Sequence, residues 1–206
     1  MKQPDQPLAV AAVIAAAGRS RRMGEPKQLL PWHGKTVIEA VVANLFAADA
    51  RPIITVTGHE HAAIASALTG SPTQIVYNTH YLTGEMLSSY QVGIGTLVDE
   101  ACVGALLTLG DQPHIPVTLL AQLIEEIRQS PEQMVIPRYH DHRGHPIYLP
   151  RHLWQRLLTL GENETLRTVV VSQQGSIRYV DVASDAILRD MDTPADYAAL
   201  RTDATQ

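Results

Sequence analysis

Leu8-Ala9-Val10-Ala11-Ala12-Val13-Ile14-Ala15-Ala16 runs without a break into Ala17-Gly18-Arg19-Ser20-Arg21-Arg22-Met23-Gly24-Glu25-Pro26-Lys27. The first part is apolar on both alternating faces, as a strand in the middle of a parallel sheet must be. The second part is a turn-rich, cationic loop. Outward from it, apolar runs and helical patterns alternate, the signature of β-α-β units. Residues 37–48 space Val37, Val41, Leu45 and Ala48 along one helical stripe. Strands are expected at 52–57, 74–77 and 103–109, with helices at 59–68, 86–98 and 117–128 between and after them. Further on come a short strand at 134–137, a polar segment rich in His and Arg, and a short strand at 147–149. Two helices (153–160 and 164–172), an edge strand (177–182) and a last helix from Pro194 complete the chain. The fold class is therefore α/β: a Rossmann-like, doubly wound, mostly parallel sheet with helices on both faces, in a single domain over residues 1–206.

Composition narrows the function. A chain of 206 residues can bury one substantial core. The net charge of -5 argues against a nucleic-acid or acidic-membrane binder, which needs a basic face. The single cysteine, Cys102, excludes an intramolecular disulfide and any cysteine-cluster metal site, and its apolar neighbours make it a core residue. The apolar stretch at residues 8–17 falls well below the ~20 residues needed to span a bilayer. A cytoplasmic setting is expected. The polar ends, 1–7 and 202–206, are expected to fray.

In such sheets ligands bind outside the carboxyl ends of the strands, where strand order reverses. The residues following the strands should carry the chemistry: 17–27, Gly58, Asn78 onward, and Gly110-Asp111-Gln112-Pro113. The loop at 17–27 holds four cations (Arg19, Arg21, Arg22, Lys27) within ten residues of a net acidic chain. Its two glycines let backbone N–H groups approach an anion, which suits a triphosphate. The glycine spacing fits neither the dinucleotide fingerprint G-x-G-x-x-G nor the ATPase loop G-x-x-x-x-G-K-[ST]. Asp111, one residue past a buried strand, is placed for Mg²⁺, which takes one or two carboxylates plus water and phosphate oxygens. In Asp190-Met191-Asp192-Thr193-Pro194-Ala195-Asp196, helix-start chemistry accounts for Thr193, Pro194 and Asp196 and leaves Asp192 unexplained. His140, His142 and His145 lack the nearby partners a transition-metal site would need, and a solvated loop is the commoner fate of such a segment.

The run AAAGRSRRMGEPKQLLP resembles the signature L-A-A-G-x-S-x-R-M-G-x-x-K-x-L-L-P of the MobA-like (molybdopterin-guanine-dinucleotide-synthase-like) nucleotidyltransferase superfamily. Within it, the chain looks most like the molybdenum cofactor cytidylyltransferases. GDQP, RGHP and DMDTPADY are similar to that family's later motifs, in the expected order, so the resemblance spans residues 12–197. It implies a nucleotide site made by Ala16, Ala17, Gly18, Arg19, Ser20, Lys27, Ser89 and Gly110. Arg22 and Lys27 would neutralise the triphosphate as pyrophosphate leaves. Asp192 would pair with Asp111 on the metal, with Asp190 as the weaker alternative. Arg143, Gly144 and His145 would meet the acceptor. The chain departs from the family at Glu85, where glycine is expected after Gly84, and at residues 161–167, where Arg167 matches G-D-x-G-x-R but the acid and the second glycine do not.

The implied reaction is Mg²⁺-dependent transfer of CMP from CTP to a molybdopterin-type phosphate, with a recipient molybdoenzyme as a further partner. Ala15-Ala16-Ala17-Gly18 is similar to the cytidylyl branch; the guanylyl branch tends to carry two glycines there. Other readings are transfer of CMP or GMP to a phosphosugar or phospho-acid, a dinucleotide-dependent oxidoreductase, and a non-catalytic cofactor carrier. The expected geometry sets arginine and lysine at one end of a crevice and aspartate at the other, with the metal-bound triphosphate between them.

Overall fold

The computed structural model describes residues 8–161 and 163–203. In chain order its elements are β1 (Val10–Ala16), β2 (Pro31–Trp32), β3 (Lys35–Thr36), α1 (Val37–Ala47), β4 (Ile53–Thr57), α2 (His61–Ala67), β5 (Gln74–Tyr77) and α3 (Glu85–Thr96). There follow β6 (Gly104–Leu109), α4 (Val117–Gln129), β7 (Val135–Tyr139), β8 (His142–Arg143), β9 (Ile147–Pro150), α5 (Trp154–Leu158), α6 (Leu166–Ser172), β10 (Arg178–Asp181) and α7 (Pro194–Asp203).

The main sheet runs β10-β7-β9-β6-β1-β4-β5, with β8 paired to β7. Strands β5, β4, β1 and β6 are mutually parallel, and β10 is parallel to β7. β9 is antiparallel to both of its neighbours, β6 and β7. The chain leaves β1 toward β4 and β5 and later returns to its other side as β6, so strand order reverses between β1 and β6.

The composition of β1 explains its central place. Ala12, Ile14 and Ala16 join one core with Ile38, Leu123 and Ile127, whereas Ala11 and Val13 join the opposite core with Leu107, Trp154 and Val169. Alternation along one strand thus feeds both layers. Each large aliphatic chain so buried contributes ~1.5–3 kcal/mol. Local chemistry sets the entry to α1: the Thr36 N–H donates to Glu39 Oε2 at 2.7 Å while Thr36 Oγ1 accepts from the Glu39 N–H at 3.4 Å.

Some sequence expectations are corrected. Helix 59–68 starts only at His61, because Glu60 takes a left-handed backbone (φ 56). The helix expected at 153–160 divides into a 3₁₀ turn, Arg151–Leu153, and α5. The His-rich segment is a hairpin, β7–β8, turning on His140 (φ 43) and Asp141 (φ 66), where a solvated loop was expected. Helix α7 continues through Thr202 to Asp203, into a stretch expected to fray; residues 1–7 and 204–206 lie outside the described residues. Cys102 is buried, and among the described residues no helix is long and apolar enough to cross a membrane.

Candidate active site

The loops after β1 and β6 meet at the reversal point because glycine lets them. The Gly110 N–H donates to the Ala15 carbonyl at 3.0 Å, and a Cβ on Gly110 would stand 2.9 Å from the Ala16 Cβ. Gly58, at the end of β4, is equally crowded: its Cβ would meet Tyr81 at 2.5 Å and Ala17 at 2.9 Å. Three strand ends are therefore held closer together than side chains would permit.

The loop at 17–27 folds back on itself. Ser20 Oγ accepts from the Lys27 N–H at 3.1 Å and donates to Gln28 Oε1 at 3.3 Å, and Gln28 is buried. Gly24 turns the chain with φ +76. These contacts deliver Lys27, in a short 3₁₀ turn, to the mouth of the sheet.

There Lys27 Nζ contacts the Asp111 carboxylate directly, lies 3.2 Å from Asp192 Oδ1 and donates to the Met191 carbonyl at 3.1 Å. Arg22 reaches the other oxygen, Asp192 Oδ2, at 2.8 Å. Asp192 is presented by a tight turn in which the Thr193 N–H and Oγ1 both donate to Asp196 Oδ2 at 2.8 Å. Burial by itself would lower the Lys27 pKa, but Asp111 and then Asp192 more than offset it and hold it above its usual range. Desolvation, followed by the charges of Asp111 and Asp192, pushes the Asp190 carboxyl up. The expected arrangement of cations and aspartates at opposite ends is thus corrected: they touch, because low-dielectric surroundings favour direct neutralisation.

Asp111 and Asp192 therefore converge on one point, which a cation, the Lys27 ammonium, occupies. No group of three or more His, Cys, Asp or Glu among the described residues is arranged for a metal. Two carboxylates beside a basic loop do not make a closed zinc site. They do fit Mg²⁺ or Mn²⁺, which draw their remaining ligands from water and phosphate.

Two hollows are lined by residues of this cluster, and a third shares a wall with the first. Ala17, Gly18, Lys27, Ser89 and Asp111 line one of about 270 Å³. Gly18, Arg19, Ser20, Arg22, Lys27 and Asp192 line a second along the loop. Arg143, His145, Arg167 and Tyr90 line the third, of about 420 Å³. Glu85 and Met86 form a wall common to the first and third.

Ala16, Gly110 and Gly144 stand behind these surfaces. Gly144 packs on the chain at Ile187, whose carbonyl oxygen would lie 2.0 Å from an added Cβ. That close packing, with the His145 N–H donating to the Ile187 carbonyl at 3.2 Å, aims Arg143 and His145 at the hollow. Sequence reasoning missed Gln28 and Tyr81 as lining residues. It also missed that Asn78 donates to Ser88 Oγ (2.8 Å) and Ser89 Oγ (3.2 Å), fixing Ser89 in place. The position of Asn78 directly after β5 was the available signal.

Glu85 opens α3 with φ 47, a left-handed conformation costing a non-glycine residue ~1–2 kcal/mol. Glycine is expected here by resemblance, and the backbone shows why. Glu85→Gly is expected to raise stability by about 1 kcal/mol, read from the denaturation midpoint; an unchanged or lower midpoint would refute the strain.

A crevice at the strand-order reversal of a mostly parallel sheet, rimmed by a cationic loop and two carboxylates, defines an α/β protein whose ligand site lies at that reversal. The profile of the MobA-like NTP transferase domain matches residues 12–177, and the chain belongs to that family. Molybdenum cofactor cytidylyltransferase of Escherichia coli (strain K12) is 28% identical over 204 residues, covering 96% of this chain and 98% of that protein. Nicotine blue oxidoreductase of Paenarthrobacter nicotinovorans is 26% identical over 193 residues, covering 89% and 92%. Among solved structures, Rv0371c from Mycobacterium tuberculosis H37Rv superposes with a TM-score of 0.79 at 28% identity, over 94% of this chain and 98% of that one. Its complex with manganese superposes with a TM-score of 0.74 at 27% identity, over the same shares.

Proposed function

We propose that this protein transfers CMP from CTP to the phosphate of a molybdopterin-type acceptor, releasing pyrophosphate. The observation that carries this reading is the meeting of Lys27, Asp111 and Asp192, drawn from three distant parts of the chain, beside the Gly18 loop. An acceptor phosphate oxygen attacks the α-phosphorus of CTP; the bond from that phosphorus to the bridging oxygen breaks, and pyrophosphate departs. The acceptor is already anionic near neutral pH, so no general base is needed. Backbone amides around Gly18 hold the triphosphate, with Arg19 and Ser20 beside it and Ser89 facing the nucleoside. Lys27 and Arg22 exchange their carboxylate partners for phosphate oxygens and stabilise the leaving group. Asp111 and Asp192 would hold Mg²⁺ or Mn²⁺, which supplies charge neutralisation at the phosphates. Arg143 and His145 orient the acceptor from the third hollow. Burial keeps the His145 pKa low despite the opposing charge of Asp111, so it acts as a neutral hydrogen-bonding group.

Cytidine is favoured because the methyl of Ala17 lines the nucleotide hollow, where glycine would leave room for a purine edge. The name of the E. coli relative supports the same choice. We infer a cytoplasmic setting and a molybdoenzyme that receives the product.

Pyrophosphate release should be measured with CTP, GTP, ATP and UTP, each with and without the acceptor. Release is expected only with acceptor and divalent metal, and at least tenfold faster with CTP. The oxidoreductase relative supplies a second arm: oxidation of NAD(P)H without pyrophosphate release would replace this reading with hydride transfer.

A further inference from the structure

Tyr90 lies on the inner face of α3 and has no solvent exposure. Among the described residues its hydroxyl has no hydrogen-bond partner. A buried tyrosine normally finds one, since an unpaired hydroxyl forfeits the bonds it made to water. Tyr90 is also a wall of the third hollow, across from Arg143, His145 and Arg167, with Leu166 and Ile147 supplying apolar surface. Burial, then the negative charge of Asp111, pushes its pKa far above the usual phenol range. The hydroxyl therefore stays protonated and lies within the field of the carboxylate that marks the reaction point. It is an unpaired donor on a residue lining a hollow that shares Glu85 and Met86 with the one beside Asp111.

We propose that the Tyr90 hydroxyl is a specificity-determining donor for the acceptor substrate, bonding a ring nitrogen or carbonyl oxygen that the acceptor carries into the Arg143–Arg167 hollow. The proposal rests on the acceptor reading given above. Its physical basis is asymmetry. An acceptor bearing a hydrogen-bond acceptor at this point satisfies a group that folding leaves unsatisfied, and one bearing a methyl or C–H there does not. The expected helix over residues 86–98 does not single this group out, because Tyr90 occupies a position where any large apolar residue would pack.

Tyr90→Phe removes the oxygen and preserves the ring. Binding is read by the intrinsic fluorescence of a pterin monophosphate titrated into each protein, with a CTP titration and thermal melting beside it. The variant is expected to bind the pterin about three- to tenfold more weakly, the range of one neutral hydrogen bond. It should bind CTP as the wild type does, and melt at the same or a higher temperature. Equal pterin affinity in the two proteins would overturn the Tyr90 assignment and leave the acceptor reading standing. A lower melting temperature for the variant would show that the hydroxyl is held internally, and would also overturn it. Failure of the wild type to bind the pterin would remove the acceptor reading, and this proposal with it.

Discussion

Asp111→Ala is expected to lower the rate of pyrophosphate release by about 10²–10³-fold, the scale seen when one group stabilising transition-state charge is lost. Asp111 is one of two carboxylates meeting at Lys27 Nζ, and it sits on the loop held against β1 by Gly110. Its removal takes away half of the anionic charge that a divalent cation would meet there. The sheet should survive, because β6 is buried by Ala105, Leu106 and Leu107 and owes nothing to the Asp111 side chain. Three measurements separate the roles: circular dichroism should be unchanged, Mn²⁺ affinity should fall, and turnover should collapse. Asp111→Asn keeps the shape and should be nearly as inactive, since charge rather than volume is lost. Wild-type turnover in either variant would refute the metal role given to Asp111.

The sheet was largely legible in the sequence because period and composition report burial. Strands β1 and β6 are runs that only a two-sided core tolerates, and Thr193 and Pro194 mark a helix start by known capping chemistry. Direction was not legible. β9 reads like its neighbours in hydropathy, yet it runs antiparallel between β6 and β7. The hairpin of β2 and β3 escaped notice because two residues per strand carry no period, although His33 (φ 44) and Gly34 (φ 81) supply its turn. At the site, charge density singled out the loop, and a place just past a buried strand singled out Asp111. Periodicity said nothing of the contact from Lys27 to Asp192, since the two lie 165 positions apart and only the fold joins them. Nor did it reveal which members of the motifs face a hollow and which support it from behind: Gly144 and Gly110 are conspicuous in their motifs for steric reasons that emerge only when Ile187 and Ala16 are seen against them.

Lys27→Met should produce a compound phenotype that a merely structural lysine would not. In the free protein the ammonium is mostly buried and is shared by Asp111 and Asp192. Without it, two carboxylates face each other in a poorly solvated site, and the protein should lose about 1–3 kcal/mol of stability in the absence of divalent metal. The same vacancy of charge makes the pair a better cation site, so Mn²⁺ should bind the nucleotide-free variant at least tenfold more tightly than the wild type. By linkage, saturating Mn²⁺ should then raise the melting temperature of the variant more than that of the wild type. Catalysis moves the other way. The lysine that competes with metal in the free protein is the one proposed to accompany the leaving pyrophosphate, so the variant should turn over about 10²-fold more slowly even with metal and CTP saturating. In the wild type, a triphosphate gives Lys27 an alternative anion and releases the two aspartates, so metal and nucleotide should bind cooperatively; in Lys27→Met that cooperativity should shrink. Mn²⁺ titrations with and without CTP, followed by electron paramagnetic resonance, measure it directly. Equal Mn²⁺ affinity in the two nucleotide-free proteins would show that the lysine does not guard the carboxylate pair.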